Sequence, residues 1–406
     1  MSEPLTISPS DLPDDDSRFS RFNLIGWWDQ KRLRDAKVLV IGAGALGNEL
    51  IKNFALLGIG HLVIADKDTI ENSNLSRSIL YRASDTGQPK SVVAASAATS
   101  IYPDIKVQSL NVDIVHDLGA GVYRWADVIV GGLDNREARL SINRQSWRVA
   151  RPWVDGAIEV IQGVARVFSP DKAQTNPCYE CTMSERDWRV LAQRRSCNLL
   201  TLKQMQTGRV PTTPTIASII AGVQAQETVK LLHAMPTLAG RGFVFAGDSA
   251  ESYIVDYQRK PDCTSHDTLD TIVELSETSD KLTLADLLKI ARADLGDSAV
   301  LDLGRDVAHQ LHCNYCNTHQ DVFRSMSSLT ITDAPCPACE RPRDVVTFNT
   351  LRGNEDFIGR TLAEIGIPKF DIITARTTER AIGYELSGDA STVLGACYTE
   401  LELELD

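Results

Sequence analysis

No apolar run in the 406-residue sequence approaches the ~20 residues that cross a bilayer, so no membrane-spanning helix is expected. The opening stretch, MSEPLTISPSDLPDDD, lacks the basic start and apolar core of a secretory signal, and the expected location is cytoplasmic. Positive charge is in short supply: 42 Lys and Arg stand against 54 Asp and Glu, a net charge of −12. That balance argues against nonspecific nucleic-acid binding, which needs clustered cations. An acidic surface suits solubility or a basic protein partner. There is neither an internal repeat nor a long low-complexity tract, so solenoid architectures are not expected.

What is present is a chain long enough for two or three domains. Strand and helix patterns alternate up to about residue 150, as in a mostly parallel sheet covered on both faces. Within this stretch lies VLVIGAGALGNELIKNFALLGIGHLVIADKD. Gly42, Gly44 and Gly47 have G-x-G-x-x-G spacing between a strand and a helix, and Asp66 lies 24 residues after Gly42. This is a phosphate fingerprint that serves NAD or ATP alike. Residues further on favour a triphosphate. Asn74, Arg77 and Lys90 are polar or cationic, and Asp134 closes a strand where a carboxylate can hold magnesium. NAD needs no such set, because backbone N–H groups hold its pyrophosphate.

Cysteines are plentiful. Six of nine form C-x-x-C pairs, Cys178/Cys181, Cys313/Cys316 and Cys336/Cys339, and Cys263 opens C-x-x-H with His266. In a cytosolic chain such pairs read as metal ligands or redox groups rather than structural disulfides. The last two pairs make C-x₂-C-x₁₉-C-x₂-C, a zinc-ribbon spacing, with His309, His312 and His319 close enough in sequence to substitute. Cys197 and Cys397 stand outside the pairs, and Cys397 reads as a strand residue.

The run GAGALG, DKD, NLSR, GQPK and LDN closely resembles the ThiF/MoeB family, the ubiquitin-activating (E1-like) adenylyltransferases, over residues 18–266. The resemblance implies a Rossmann-like α/β adenylation domain with a mixed sheet. It implies MgATP as substrate and the C-terminal glycine of a ubiquitin-like or sulfur-carrier β-grasp protein as the group activated. Carried over, Gly42, Gly44 and Gly47 line the phosphates and Asp66 holds the ribose. Asn74, Arg77 and Lys90 contact the phosphates, and Asp134 serves the magnesium. Arg21, in RFSRF, resembles the arginine that reaches into the other subunit's site, which implies a homodimer. PCYEC matches the family's first zinc pair. KPDCTSH stands where the second pair belongs, giving a structural Cys178, Cys181, Cys263, His266 site and, with the ribbon, two structural zinc ions. Cys197 lies in the region that carries the thioester cysteine in some members, next to Arg194 and Arg195, which would stabilise a thiolate.

The expected organisation is an N-terminal arm and helix (1–35), an adenylation domain (36–267), and a smaller C-terminal α+β region (268–406). That last region holds the ribbon at about 309–345. No rhodanese loop is evident. LTLADLLKIARADLG suggests a helix like that of the ubiquitin-fold domain that recruits a ubiquitin-conjugating enzyme, yet the ribbon and GRTLAEIGIPKFDIITART do not match that domain. The region is therefore a docking element, a structural cap or a dimerisation element. Three functions follow: an E1-like enzyme that adenylates a ubiquitin-like protein and takes it as a thioester on Cys197; a sulfur-carrier adenylyltransferase without an obligatory thioester; and an inactive zinc-containing scaffold.

Overall fold

Strand runs that are apolar on both faces have to be covered on both faces, and that demand organises the chain. The computed structural model describes residues 17–133, 135–171, 173, 175–189 and 211–399. After a 3₁₀ turn, Ser20–Leu24, comes α1 (Gln30–Asp35). The single N-terminal helix expected from the pattern is thus split. The Asp29 carboxylate accepts from the N–H groups of Lys31 and Arg32 and starts a new helix there.

The core of the chain follows as β1 (Lys37–Ile41), α2 (Ala45–Leu57), β2 (His61–Ala65), α3 (Lys90–Ile101), β3 (Lys106–Leu110), α4 (Ala120–Trp125), β4 (Val128–Gly131), α5 (Arg136–Arg148), β5 (Trp153–Glu159) and β6 (Gln162–Phe168). Helix α6 (Pro214–Leu232), β7 (Arg241–Ala246) and β8 (Glu251–Asp256) complete it. The eight strands form one sheet in the order β3-β2-β1-β4-β5-β6-β7-β8. Pairing is parallel from β3 to β5 and antiparallel from β5 to β8, so the sheet is mixed.

Alternation along each strand feeds two cores. Val38 and Val40 face one side with Leu50 and Phe54 of α2, Ala94 of α3, and Ile216 and Ile220 of α6. Leu39 and Ile41 face the other with Val122 of α4 and Leu140 of α5. At about 25 cal/mol per Å² of apolar area removed from water, such burial is the main stabilising term.

A second sheet is formed by β9 (Ile272–Leu275), β10 (Val300–Cys313), β11 (Thr318–Ser325), β12 (Asp344–Leu351), β13 (Ile372–Arg376) and β14 (Ala381–Leu386), with α7 (Leu284–Leu295) against it. Thr283 caps α7, its hydroxyl accepting from the Asp286 N–H. The chain then returns to the first sheet through α8 (Ala390–Leu394). Phe370, Ile372, Leu394 and Cys397 are buried in the α4–α5 core. Cys397 is not a strand residue. It lies in the 3₁₀ turn Gly395–Cys397, where Gly395 takes φ +47° and ends α8, and its S–H faces the carbonyls of Leu62 and Lys106.

Polar contacts join the two sheets. Arg305 pairs with Asp371 at 2.7 Å, both buried, and Asp371 also accepts from the Ala120 N–H. Arg124 reaches Glu385 and Glu274, and Arg148 donates to the Ile372 carbonyl.

Candidate active site

Helix α2 follows β1 onto one face, and α5 follows β4 onto the other. The crevice between them, at the carboxyl ends of β1 and β4, is the switch point where open α/β sheets bind ligands. Gly42 turns the chain out of β1 with φ +92°, and a Cβ there would lie 2.7 Å from the Gly132 carbonyl oxygen beyond β4. Gly47 crosses so close beneath that its Cβ would stand 1.9 Å from the Gly42 oxygen. Gly44 differs. Its φ is −74°, which any residue adopts, and no atom lies within 4 Å of where its Cβ would be. Packing requires Gly42 and Gly47, whereas Gly44 leaves a cradle open. No side chain caps α2, so its first N–H groups and positive dipole end are left to face that cradle. This donor set fits a phosphate.

Three groups steady the loop. Asn48, fully buried, donates to the Ala43 and Gly44 carbonyls and accepts from the Leu80 N–H. The Tyr81 hydroxyl donates to the Ala43 carbonyl at 2.6 Å and reaches the Lys90 carbonyl at 3.3 Å, joining the loop to the start of α3. Asp66 accepts from the N–H groups of Ala43 and Asp68, each at 2.7 Å. Burial pushes the Asp66 carboxyl above its ordinary range, partly offset by the charge of Lys90. Neither Asn48 nor Tyr81 was singled out from the sequence. The available signal was a polar residue on the buried face of the helix after the glycine loop.

The structure brings Lys90 to this group and leaves Asn74 and Arg77 occupied locally. Lys90 Nζ lies 2.9 Å from Asp68 Oδ2, and the Lys90 N–H donates to the Asp68 carbonyl. Asn74 accepts from the Glu71 N–H, and Arg77 folds back onto the Ser73 carbonyl at 2.6 Å. To meet a phosphate, Arg77 must swing away from Ser73. Arg21 is exposed on the N-terminal 3₁₀ turn.

Asp134 lies outside the described residues, but its neighbours are held firmly. Arg139 donates to the Leu133 and Gly156 carbonyls and pairs with Asp155 at 3.0 Å. Asp155 is 0% exposed and also accepts from Arg166 Nε at 2.9 Å. This buried Arg–Asp–Arg set anchors the turn into α5 and was not foreseen. Asn135 then caps α5 by accepting from the Ala138 N–H.

Cys178, Cys181, Cys263 and His266 converge, with all four ligand atoms within 4.8 Å of one another. The Cys178–Cys181, Cys178–Cys263 and Cys181–His266 separations are 3.8, 3.5 and 3.4 Å. A tetrahedron with zinc–sulfur bonds of about 2.3 Å has edges of roughly this length. The thiols share protons through these contacts: hydrogen bonds with Cys178 and Cys263 hold the Cys181 thiol below its ordinary range, and the bond with Cys181 pushes the Cys178 thiol above its own. Four protein ligands make a closed, structural set. Cys197 is outside the described residues. The segment before it starts beside the crevice, because Asp187 pairs with Arg136 of α5 at 3.0 Å.

The ThiF family model matches residues 17–265, about three fifths of the chain. The chain belongs to the ThiF family. This ThiF protein is 31% identical over 260 residues to the SAMP-activating enzyme E1 of Haloferax volcanii, covering 61% of this chain and 87% of that one. It is 29% identical over 234 residues to the sulfur carrier protein ThiS adenylyltransferase of Escherichia coli, covering 58% and 87%. Of some longer ubiquitin-activating relatives it spans only 15%. In fold it is similar to Escherichia coli MccB, solved with ATP, at TM-score 0.51 and 21% identity over 62% of this chain and 74% of that one. The ThiF protein is an ATP-dependent activating enzyme of the adenylyltransferase kind. No helix among its described residues is long and apolar enough to cross a membrane.

Proposed function

We propose that the chain adenylates the C-terminal glycine of a ubiquitin-like β-grasp protein and then takes it as a thioester on Cys197. The observation that carries the first step is the open cradle at Gly44, set on an uncapped helix start and joined through Asp66 and Asp68 to Lys90. ATP lays its phosphates along Gly42, Gly44 and Gly47, with its ribose on Asp66. Asn74, Arg77 and Lys90 neutralise the triphosphate, and Asp134 holds the accompanying magnesium. Arg21 reaches the site of a second copy and stabilises charge developing on phosphorus, so the working form is a homodimer. The glycine carboxylate, already ionised, attacks the α-phosphorus. The bond from that phosphorus to the bridging oxygen breaks, and pyrophosphate leaves. Positioning and charge neutralisation do the work, and no general base is needed.

In the second step the Cys197 thiolate attacks the acyl carbon, the bond to AMP oxygen breaks, and AMP leaves. Elimination supports Cys197. Among the described cysteines, Cys178, Cys181 and Cys263 cluster with His266, Cys313, Cys316, Cys336 and Cys339 cluster with one another, and Cys397 is fully buried with its thiol pushed up to about 11 by burial. A ubiquitin-conjugating enzyme is the next acceptor, with the C-terminal sheet as its docking element. The similarity to a ThiS adenylyltransferase favours a second reading, in which a sulfur-carrier protein is adenylated and no thioester forms.

One assay separates the readings. The chain is mixed with MgATP and a candidate β-grasp protein, followed by pyrophosphate exchange and a non-reducing gel. The first reading expects exchange plus a thiol-sensitive adduct that Cys197→Ala abolishes. Exchange without adduct supports the second. No exchange with any β-grasp protein overturns both.

A further inference from the structure

Beyond residue 265, where the family match ends, the structure holds a second metal-type cluster on the C-terminal sheet. Cys313, Cys316, Cys336 and Cys339 place their sulfurs within 4.8 Å of one another. Cys313–Cys339 is 3.5 Å and Cys316–Cys336 is 3.6 Å. A disulfide needs about 2.05 Å, so these are four separate thiols. Their spacing matches the edges of a tetrahedron with zinc–sulfur bonds of about 2.3 Å.

The backbone is shaped for this twice over. In the first pair the Asn317 N–H donates to the Cys313 carbonyl at 2.9 Å, and Asn317 takes φ +55°. In the second the Glu340 N–H donates to the Cys336 carbonyl at 2.8 Å, and Glu340 takes φ +59°. Both C-x-x-C segments therefore close the same tight loop, with a non-glycine residue held in the left-handed region directly after the second cysteine. Two strained loops of one design, facing each other through their sulfurs, are the mark of a shared ligand. The Thr318 hydroxyl lies 3.1 Å from Cys316 and 3.4 Å from Cys336, an outer group bridging the pairs. None of His309, His312 and His319 belongs to this cluster. His312 meets Asn317 and His309 packs on Phe323.

This end of the sheet also lacks the means to hold itself. Its buried apolar cluster is Ala308, Leu311 and Leu329, with the partly buried Val322, Met326 and Val345 packed against it, separate from the main core of the second sheet. So small a core does not order a β-hairpin and a returning strand without a staple. We infer that Cys313, Cys316, Cys336 and Cys339 bind one zinc ion that clamps the tip of the β10–β11 hairpin to the start of β12. Each thiol loses its proton to solvent as its sulfur joins the ion. The site is structural, and it does not depend on the adenylation reading.

Metal analysis of the full chain, purified in zinc-replete buffer, tests this. Two zinc ions per chain are expected, one for each cluster. Cys316→Ser with Cys336→Ser should retain one, and should speed amide hydrogen exchange across residues 311–347 while leaving β1 to β5 protected. ATP–pyrophosphate exchange with a β-grasp partner should persist, which separates loss of this site from failure of the adenylation reading. As a control for folding of the double variant, the single Cys316→Ser, at an exposed position, is measured in parallel and should weaken zinc retention against a chelator. A wild-type chain holding one zinc that Cys178→Ser removes would overturn the inference. So would a double variant that keeps both ions, or disulfides between the pairs in freshly purified protein.

Discussion

Gly44→Ala separates ligand binding from packing at the glycine loop. A methyl at Gly44 meets no protein atom within 4 Å, and its φ of −74° suits alanine. Gly44 is the N-cap of α2, where alanine is worse than glycine by about 1 kcal/mol or less. The folded protein should therefore unfold at nearly the wild-type temperature. ATP should suffer far more, because the methyl occupies the cradle and holds a phosphate away from the N–H groups. Losing one hydrogen bond to a charged group costs about 1.5–3 kcal/mol, or roughly 10- to 150-fold in affinity. Gly47→Ala is the contrast. Helix propensity favours alanine there by about 1 kcal/mol, but the Cβ would stand 1.9 Å from the Gly42 carbonyl oxygen. Backbone must shift, and overpacking costs typically 1–3 kcal/mol or more, so this variant should unfold at lower temperature even without ATP. Thermal unfolding without nucleotide and calorimetric titration with MgATP read the two effects. Gly44→Ala binding ATP as tightly as wild type would refute the assignment of the loop to the phosphates.

Two further outcomes follow from buried charge. Asp155→Asn leaves Arg139 and Arg166 facing each other without their shared anion, and should cost about 3–5 kcal/mol in denaturant unfolding; a change below 1 kcal/mol would show that the set is not a buried ion network. Burial raises the Asp66 carboxyl above its ordinary value, so between the ordinary and raised values the folded chain binds a proton that the unfolded chain has released. Its contribution to stability is full below the ordinary value and is lost as pH rises through the raised one. The proposed assignment of the ribose to Asp66 needs the anion and runs the opposite way: ATP affinity should fall on acidification through the raised value, and Asp66→Asn should remove that inflection. An unchanged pH profile in the variant would locate the titration elsewhere.

Local pattern made much of this legible. The glycine spacing, the strand–helix alternation and the carboxylate after β2 each depend on residues close in the chain. Helix α6 buries Ile216 and Ile220, although Ile219 between them in sequence is 38% exposed. What escaped was polar and buried. Asn48, Tyr81, Asp155, Arg139 and Arg166 look like surface residues until the fold encloses them, and nothing in their neighbours along the chain announces their partners. Cys397 escaped for a related reason: its turn is buried by a sheet formed some 290 residues earlier, at Lys106.

The sequence by itself determined the glycine loop, the family and the C-x-x-C pairs, because each is set by spacing over a few residues of backbone. Only the tertiary structure decided which pairs meet. Cys178 and Cys181 find Cys263 and His266 across 85 residues because β6 and β8 lie in one sheet, and Cys313 finds Cys339 because β10 pairs with β12. The fold also decided that two of the three loop glycines answer to packing, while the third has open space where a Cβ would stand. That distinction rests on where the Gly132 and Gly42 carbonyls come to lie, which no spacing in the chain can express.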